Sequence, residues 1–185
     1  MNLSSDELEI LETMLLNCNS AKVTQIANES DKELDVTMRH LTDLARIGYV
    51  ISPQNEHYSI TDEGKRVLGI QPITKEKAKS IIAYTPHDKA FNFHISHDAH
   101  GHMHAHSLQD FANKLSRVDL KTIEFHMDNG DFEAWFKCLD DQELTKKTAV
   151  IKKRNITGEH LKLLLQRIIE QRCQELMKLV EQTTS

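Results

Sequence analysis

The sequence predicts an α+β protein, mainly helical, made of two domains. Apolar residues recur every three or four positions through most of the 185 residues, and this is the spacing of amphipathic helices. Runs of β-prone residues are few and lie chiefly at 49–60 and 90–95. A basic stretch at 71–89 holds two of the three prolines, which is typical of a connection between domains. The predicted division is therefore a domain at 1–70, a linker at 71–89 and a domain at 90–185.

The first domain is predicted as three helices, a hairpin and a fourth helix. Ser4 and Ser5 precede a first amphipathic helix that reaches about Asn17, and a short helix follows at 23–27. The third helix opens near residue 31, ends at Gly48 and carries four apolar residues on one face: Leu34, Met38, Leu41 and Leu44. The hairpin joins 49–52 to 57–60 through the polar turn 53–56, and a helix begins at 61–64.

This order of elements resembles the winged helix-turn-helix module of prokaryotic transcription regulators. The junction sequences LARIGYV at 44–50 and YSITDEG at 58–64 carry the resemblance, which covers residues 4–69. It implies a DNA-binding transcriptional regulator whose third helix and wing meet double-stranded DNA. On this interpretation the candidate DNA-binding residues are Thr37, Arg39, His40 and Arg46.

The charge of the first domain favours a different function. Residues 1–70 hold six Lys and Arg against twelve Asp and Glu, a formal charge of −6, whereas the remainder carries +1. Affinity for nucleic acid comes largely from neutralising phosphates, and an acidic module lacks this contribution. The alternative hypothesis is a winged-helix adaptor that binds proteins and not DNA.

The second domain is predicted to be mostly helical, with a strand at 90–95, several short helices and a long helix from 157 to about 182. It resembles a family of mainly archaeal domains that carries no established activity. The segments that carry the resemblance are FNFH at 91–94, SLQDF at 107–111, IEFH at 123–126, GDFEAW at 130–135 and TGE at 157–159.

A histidine-rich loop is predicted at 94–106. Seven of the eleven histidines lie between positions 87 and 106, and imidazole is a ligand for zinc, nickel and copper. The candidate ligands of such a divalent transition metal are His94, His97, His100, His102, His104 and His106. Loose binding by a polyhistidine segment and proton sensing near pH ~6.5 are the alternatives.

No catalytic motif is evident in the sequence, and we expect no enzyme activity. His126 and Asp131 lie in a polar turn, where such residues more often cap helices than react. Cys138 has no partner histidine nearby in sequence and is interpreted as a core residue. Phosphate loops, paired catalytic carboxylates and a serine elbow are not found.

Three further features bear on partners and location. The apolar stripe of the last helix serves either core packing or a homodimer contact. The linker lysines Lys75, Lys77 and Lys79 are most simply a solvated connector, and the alternative is a short helix that touches the DNA backbone. A second basic group is most simply a solvated helix face, and the alternative is contact with phosphates: Lys146, Lys147, Lys152, Lys153 and Arg154. The acidic N-terminus and the lack of a long apolar run predict a cytoplasmic protein without membrane contact. The leading hypothesis is a regulator that responds to metal through its histidine loop.

Overall fold

The computed structural model describes residues 3–52, 57–94 and 103–182. The chain is α+β and mainly helical, with a long C-terminal helix. It divides into two compact units, Met1–Pro72 and Ile73–Ser185. The division falls inside the stretch predicted as a linker.

Unit 1 alternates helices with short strands. Its elements are α1 (Ser5–Leu16), β1 (Ser20–Lys22), α2 (Val23–Glu29), α3 (Leu34–Arg46), β2 (Val50–Ile51), β3 (His57–Ile60) and α4 (Asp62–Val67). The Ser4 side chain accepts from the Glu7 backbone while the Glu7 carboxylate accepts from the Ser4 backbone, so a capping box starts α1. Strand β1 was not predicted, because three residues are too few to show a period.

The sheet of unit 1 is antiparallel, with β3 between β1 and β2. Ser20 pairs with Ser59, and Val50 pairs with Ile60. The helices and the sheet enclose a core of aliphatic and methionine side chains: Ile10, Leu11, Met14, Leu15, Ala21, Ile26, Leu41, Leu44, Val50, Ile60, Leu68 and Ile70. Burial of this apolar area is the main stabilising contribution to the unit.

The inner face of α3 differs from the predicted one. Leu41 and Leu44 are fully buried as expected, but Leu34 and Met38 are 42% and 47% exposed. At 100° per residue, Met38 points about 90° away from the centre between Leu41 and Leu44. Thr37 lies on the buried side instead. The expectation that all four apolar residues share the core face was therefore wrong for two of them.

Helix α4 lies very close to the backbone that precedes β2. Thr61 accepts from the Gly64 N–H, and its hydroxyl donates to the Gly48 carbonyl at 2.7 Å. A Cβ atom at Gly64 would overlap the Tyr49 carbonyl oxygen and come within 2.8 Å of the Ile60 side chain. Only glycine permits this approach.

Unit 2 consists of helices around a two-stranded hairpin. Its elements are α5 (Lys75–Ile82), a 3-10 turn (His87–Lys89), β4 (Phe91–Phe93), β5 (Met103–Ala105), α6 (Leu108–Leu115), α7 (Leu120–Asn129), α8 (Asp131–Cys138), α9 (Gln142–Lys153) and α10 (Gly158–Glu181). Strands β4 and β5 are antiparallel, with Phe91 opposite Ala105 and Phe93 opposite Met103. The predicted loop at 94–106 therefore ends in a strand, which sequence alone did not indicate.

Two segments pack more tightly than expected. Helix α5 lies within the predicted linker, yet Ala78 and Ile81 are fully buried and α5 packs against α10 in unit 2. Lys75 donates to the Gln182 carbonyl, and Lys77 forms an ion pair with Asp140. The stretch is therefore not simply a solvated connector. The apolar stripe of α10 also faces inward, with Leu165, Ile169 and their neighbours buried, which is the core-packing alternative.

Two residues lie where the sequence did not place them. Lys147 was assigned to a solvated helix face but is fully buried, because its ammonium pairs with the Glu143 carboxylate at 2.7 Å. Cys138 was interpreted as a core residue and is exposed at the end of α8. Cys173 lies on α10 and is buried.

Candidate functional site

One side of α3 faces outward along the whole helix, and we call it the α3 outer face. It is held in this orientation because Thr37, Leu41 and Leu44 fix the opposite side in the core. The exposed residues recur at helical spacing: Leu34, Asp35, Met38, Arg39, Thr42 and Arg46. Two arginines, one aspartate and two apolar side chains thus share a continuous surface.

The four residues predicted to contact DNA do not lie on the same surface. Arg39 and Arg46 belong to the α3 outer face, and Arg46 pairs with Asp43 at 2.7 Å. His40 is partly covered and lies 3.8 Å from Asp6. Thr37 is fully buried and its hydroxyl donates to the Glu33 carbonyl at 3.0 Å, so its side chain does not reach the surface.

The acidic surplus of unit 1 is concentrated on α1 and not on α3. Helix α1 carries four carboxylates and no basic residue: Asp6, Glu7, Glu9 and Glu12. Lys32 contacts two of them, at 2.7 Å from Asp6 and 3.0 Å from Glu9. The hydrogen bond from Lys32 lowers the pKa of Asp6, which keeps the carboxylate ionised. The α3 outer face itself carries two arginines and Asp35, and Asp43 at its edge pairs with Arg46.

The six predicted metal ligands are divided by the fold. His94 follows β4 and contacts the rings of Phe125 and His126. His104 and His106 lie on or beside β5, and their ring centroids are 6.5 Å apart. His97, His100 and His102 lie outside the described residues.

His126 is the fully buried centre of a hydrogen-bonded relay. Its Nδ1 lies 2.7 Å from Asp131 Oδ2, and its Nε2 accepts the His94 backbone N–H at 3.1 Å. Since a backbone N–H can only donate, the proton of the neutral ring is on Nδ1 and points to the carboxylate. Burial lowers the pKa of His126 despite the opposing effect of Asp131. The ring is therefore neutral at pH 7.

Gly130 makes this relay possible. With φ of +77° it is at once the residue that ends α7 and the residue that precedes α8. The left-handed turn brings Asp131, at the start of α8, back onto His126 in the last turn of α7. The sequence left open whether His126 and Asp131 cap helices or take part in chemistry. In the structure they form a hydrogen-bonded contact with each other.

The same geometry weighs against a metal ion at His126. Ligand atoms of His94, His126 and Asp131 lie within 4.8 Å of one another, a spacing that could hold an ion. However, both ring nitrogens of His126 already have hydrogen-bond partners. A metal at Nε2 must displace the His94 N–H, and a metal at Nδ1 must displace a proton that the relay requires.

A second group of imidazoles lies at the other end of the hairpin, and we call His87, His104 and His106 the His87 cluster. The His87 centroid is 4.6 Å from that of His104 and 5.8 Å from that of His106. His106 Nδ1 is 3.1 Å from the Thr85 carbonyl oxygen, and its ring stacks on Tyr84 at 5.1 Å. His87 belongs to the histidine-rich region of the sequence but was not among the predicted ligands.

A lysine and an aspartate border the His87 cluster. Lys114 Nζ donates to the His104 carbonyl at 2.5 Å and to Asp110 Oδ2 at 2.7 Å. The same Asp110 oxygen accepts the His106 backbone N–H at 2.9 Å. His104, His106 and Lys114, together with Met103, line an open pocket. The carboxylate offsets the lysine charge beside this pocket.

Charged groups are also buried between α9 and α10. Arg172 Nε donates to Asp141 Oδ2 at 2.9 Å, and its Nη1 donates to Glu143 Oε2 at 3.2 Å. Burial would lower the pKa of Arg172, but these carboxylates outweigh it and raise the pKa. Burial also raises the pKa of the adjacent Cys173 thiol to about 12, so it is not a thiolate nucleophile at neutral pH.

Comparison with protein-family models, with curated proteins and with solved structures found no match for this chain. No helix within the described part of the chain combines the length and the apolar character that a bilayer span requires.

Proposed function

We propose that unit 1 is a winged helix-turn-helix module and that the protein is a DNA-binding regulator. The observation that carries the proposal is the α3 outer face, an exposed helical surface held by a buried opposite side. In such modules, one helix enters the major groove and a β-hairpin lies beside it.

The order of elements supports this assignment. Along the chain, the short strand β1 lies between α1 and α2, and α3 comes next. The hairpin of β2 and β3 follows α3 directly. The sheet order β1-β3-β2 places the hairpin strand β3 next to β1. With 13 residues, α3 extends about 20 Å at 1.5 Å per residue, and an α-helix with its side chains is about 10–12 Å across, which suits a groove about 12 Å wide.

The charges of α3 also support contact with DNA. Arg39 and Arg46 are exposed about two turns apart on the same side of the helix. Their guanidinium groups can bind phosphates or the edge of guanine. The carboxylates of α1 lie outside this face, where Asp35 is exposed and Asp43 pairs with Arg46.

A fluorescence-anisotropy titration with a short random duplex, repeated between about 50 and 200 mM salt, tests the proposal. We expect affinity to fall as salt rises. The variant Arg39→Ala with Arg46→Ala should bind more weakly and reduce the slope of log affinity against log salt by about 2.

The matched control removes two exposed arginines from unit 2, Arg117→Ala with Arg167→Ala. It lowers the net charge equally and should leave most of the affinity and the slope intact. Equal losses in both double variants, or no binding by the unmodified protein, would contradict a site on α3.

The second candidate function is a protein-binding module. Leu34 and Met38 are one turn apart on the α3 outer face and expose 42% and 47% of their surface. Apolar side chains at this spacing are typical anchors for a partner protein. Absence of DNA binding at low salt, with a folded unit 1, would favour this second function.

A further inference from the structure

We propose that His87, His104 and His106 form a binding site for one divalent transition metal ion. The site would lie on the exposed side of the β4–β5 hairpin, where β5 and the 3-10 turn come together. This ligand set differs from the row of histidines that the sequence indicates. The proposal stands whether or not unit 1 binds DNA.

Two of the three ring separations are close to what a small ion requires. With metal–nitrogen bonds of about 2.1 Å, a tetrahedral ion places neighbouring imidazole centroids about 5 Å apart. The His87 centroid is 4.6 and 5.8 Å from those of His104 and His106, near this value, whereas the His104–His106 distance of 6.5 Å exceeds it. Residues 104 and 106 are two apart along an extended segment, so their side chains lie on the same side.

The hydrogen bonds of His106 prepare it for a metal. Because a carbonyl oxygen only accepts, the contact with Thr85 places a proton on Nδ1 and leaves the Nε2 lone pair for an ion. A backbone carbonyl that fixes the ring of a ligand histidine is a recurrent second contact in metal sites. Stacking on Tyr84, with the two planes 3° apart, further restricts the ring.

His87 is the adjustable member of the set. Its side chain is exposed on the 3-10 turn, so rotation about its side-chain bonds can direct a nitrogen to an ion beside His106. The turn itself is anchored, because the Lys89 carbonyl accepts from Trp135 Nε1 at 3.1 Å. Closure of the site therefore needs rotation of the His87 side chain and a smaller movement that brings His104 toward His106, whose centroids are 6.5 Å apart.

The chemistry of the donors indicates the class of ion. Three imidazoles without a thiolate suit zinc, nickel or copper and leave a coordination position open. The nearby Lys114 charge is offset by Asp110, whose carboxylate is 2.7 Å from the ammonium. His126 does not offer a ring nitrogen to a metal in this way, since both of its nitrogens take part in hydrogen bonds.

Titration of the full-length, tag-free protein with Co²⁺ and with Zn²⁺ tests the site. Visible absorption reports the coordination of cobalt, and competition with a chromogenic chelator gives the zinc affinity and stoichiometry. We expect one tight equivalent. His87→Gln should weaken zinc binding about tenfold or more, and His106→Gln should do the same.

The matched control removes three histidines at once, His97→Gln with His100→Gln and His102→Gln. Loose binding by a polyhistidine segment depends on these residues and not on His87, which lies outside the segment. The site predicts the reverse, with less than a threefold change in the control. Zinc binding by His87→Gln equal to that of the unmodified protein would overturn the proposal, as would no tight equivalent at all.

Folding of the variants can be followed separately. His87 is exposed, so its replacement should not change the unfolding midpoint measured through Trp135, the single tryptophan of the chain. Because Trp135 bonds to the same 3-10 turn, bound Co²⁺ should quench its fluorescence in the unmodified protein. The quenching should be lost in folded His87→Gln, and its persistence there would count against a site at His87.

Discussion

The two units are stabilised in different ways. The core of unit 1 consists of aliphatic and methionine side chains, and its buried polar residues lie within helices or at helix ends: Glu12, Thr13, Asn17, Ser30 and Thr37. Unit 2 packs Phe91, Phe111 and Trp135 against one another and also buries ionisable groups, among them His126 and Arg172. Unit 1 thus depends on apolar area, whereas unit 2 depends in addition on pairs of polar groups that must remain complete.

The difference in how the two units are stabilised is tested most strongly by removing one member of a buried ion pair in unit 2. Arg172→Leu would leave Asp141 and Glu143 as uncompensated buried carboxylates, so we expect a loss of about 3–5 kcal/mol in the free energy of unfolding. Denaturant unfolding followed by Trp135 fluorescence reports on unit 2. The exposed control Arg167→Leu should stay within about 0.5 kcal/mol, and a similar small effect in Arg172→Leu would contradict the account.

In unit 1 the cost should follow apolar volume alone. Leu41→Ala removes a fully buried side chain and should cost about 3 kcal/mol, whereas Met38→Ala on the α3 outer face should cost less than about 0.5 kcal/mol. Hydrogen exchange of peptides from α1 and α3 measures the stability of unit 1. Equal losses in both variants would mean that Met38 is packed and that the assigned orientation of α3 is wrong.

The smallest expected effect is the pH dependence that His126 gives to unit 2. The pKa of His126 is lowered in the folded state, so the unfolded state binds more protons as pH falls below about 6.5. The stabilisation is complete above that value and decreases toward the lower, folded-state pKa, by at most about 1.4 kcal/mol per pH unit. Trp135-monitored unfolding between pH 7 and 5 checks this.

The control for that experiment is His126→Gln, which has no titrating ring. Its overall stability should be lower, since Asp131 and the His94 N–H lose their hydrogen bonds to the imidazole ring. The part of the pH slope that is due to residue 126 should disappear. An unchanged slope would assign the effect to other groups.

Elements that repeat a pattern over many residues could be predicted from the sequence, and elements defined by distant contacts could not. Helices such as α1 and α10 were confirmed because caps and apolar spacing act locally. Strands β1 and β5 were missed, since three residues give no period and their pairing partners are far along the chain. The inner face of α3 was assigned by counting apolar residues, although Thr37 is buried there through its own backbone hydrogen bond.

The functional residues divide in the same way. A density of histidines was visible in the sequence, but which of them meet is decided by β5 and the 3-10 turn. His87 is 17 positions from His104, so spacing alone could not join them. His126 and Asp131 are five positions apart, and the left-handed Gly130 between them was the available signal for their contact.

The close approach at Gly64 has an evolutionary consequence. A methyl group there collides with main-chain oxygen, which cannot move aside as a flexible side chain would. Saturation mutagenesis should therefore recover glycine alone at this site, while the exposed neighbours Glu63 and Arg66 accept many replacements. Among orthologues, an invariant glycine at this position would record the geometry of the helix-to-hairpin junction and not a ligand.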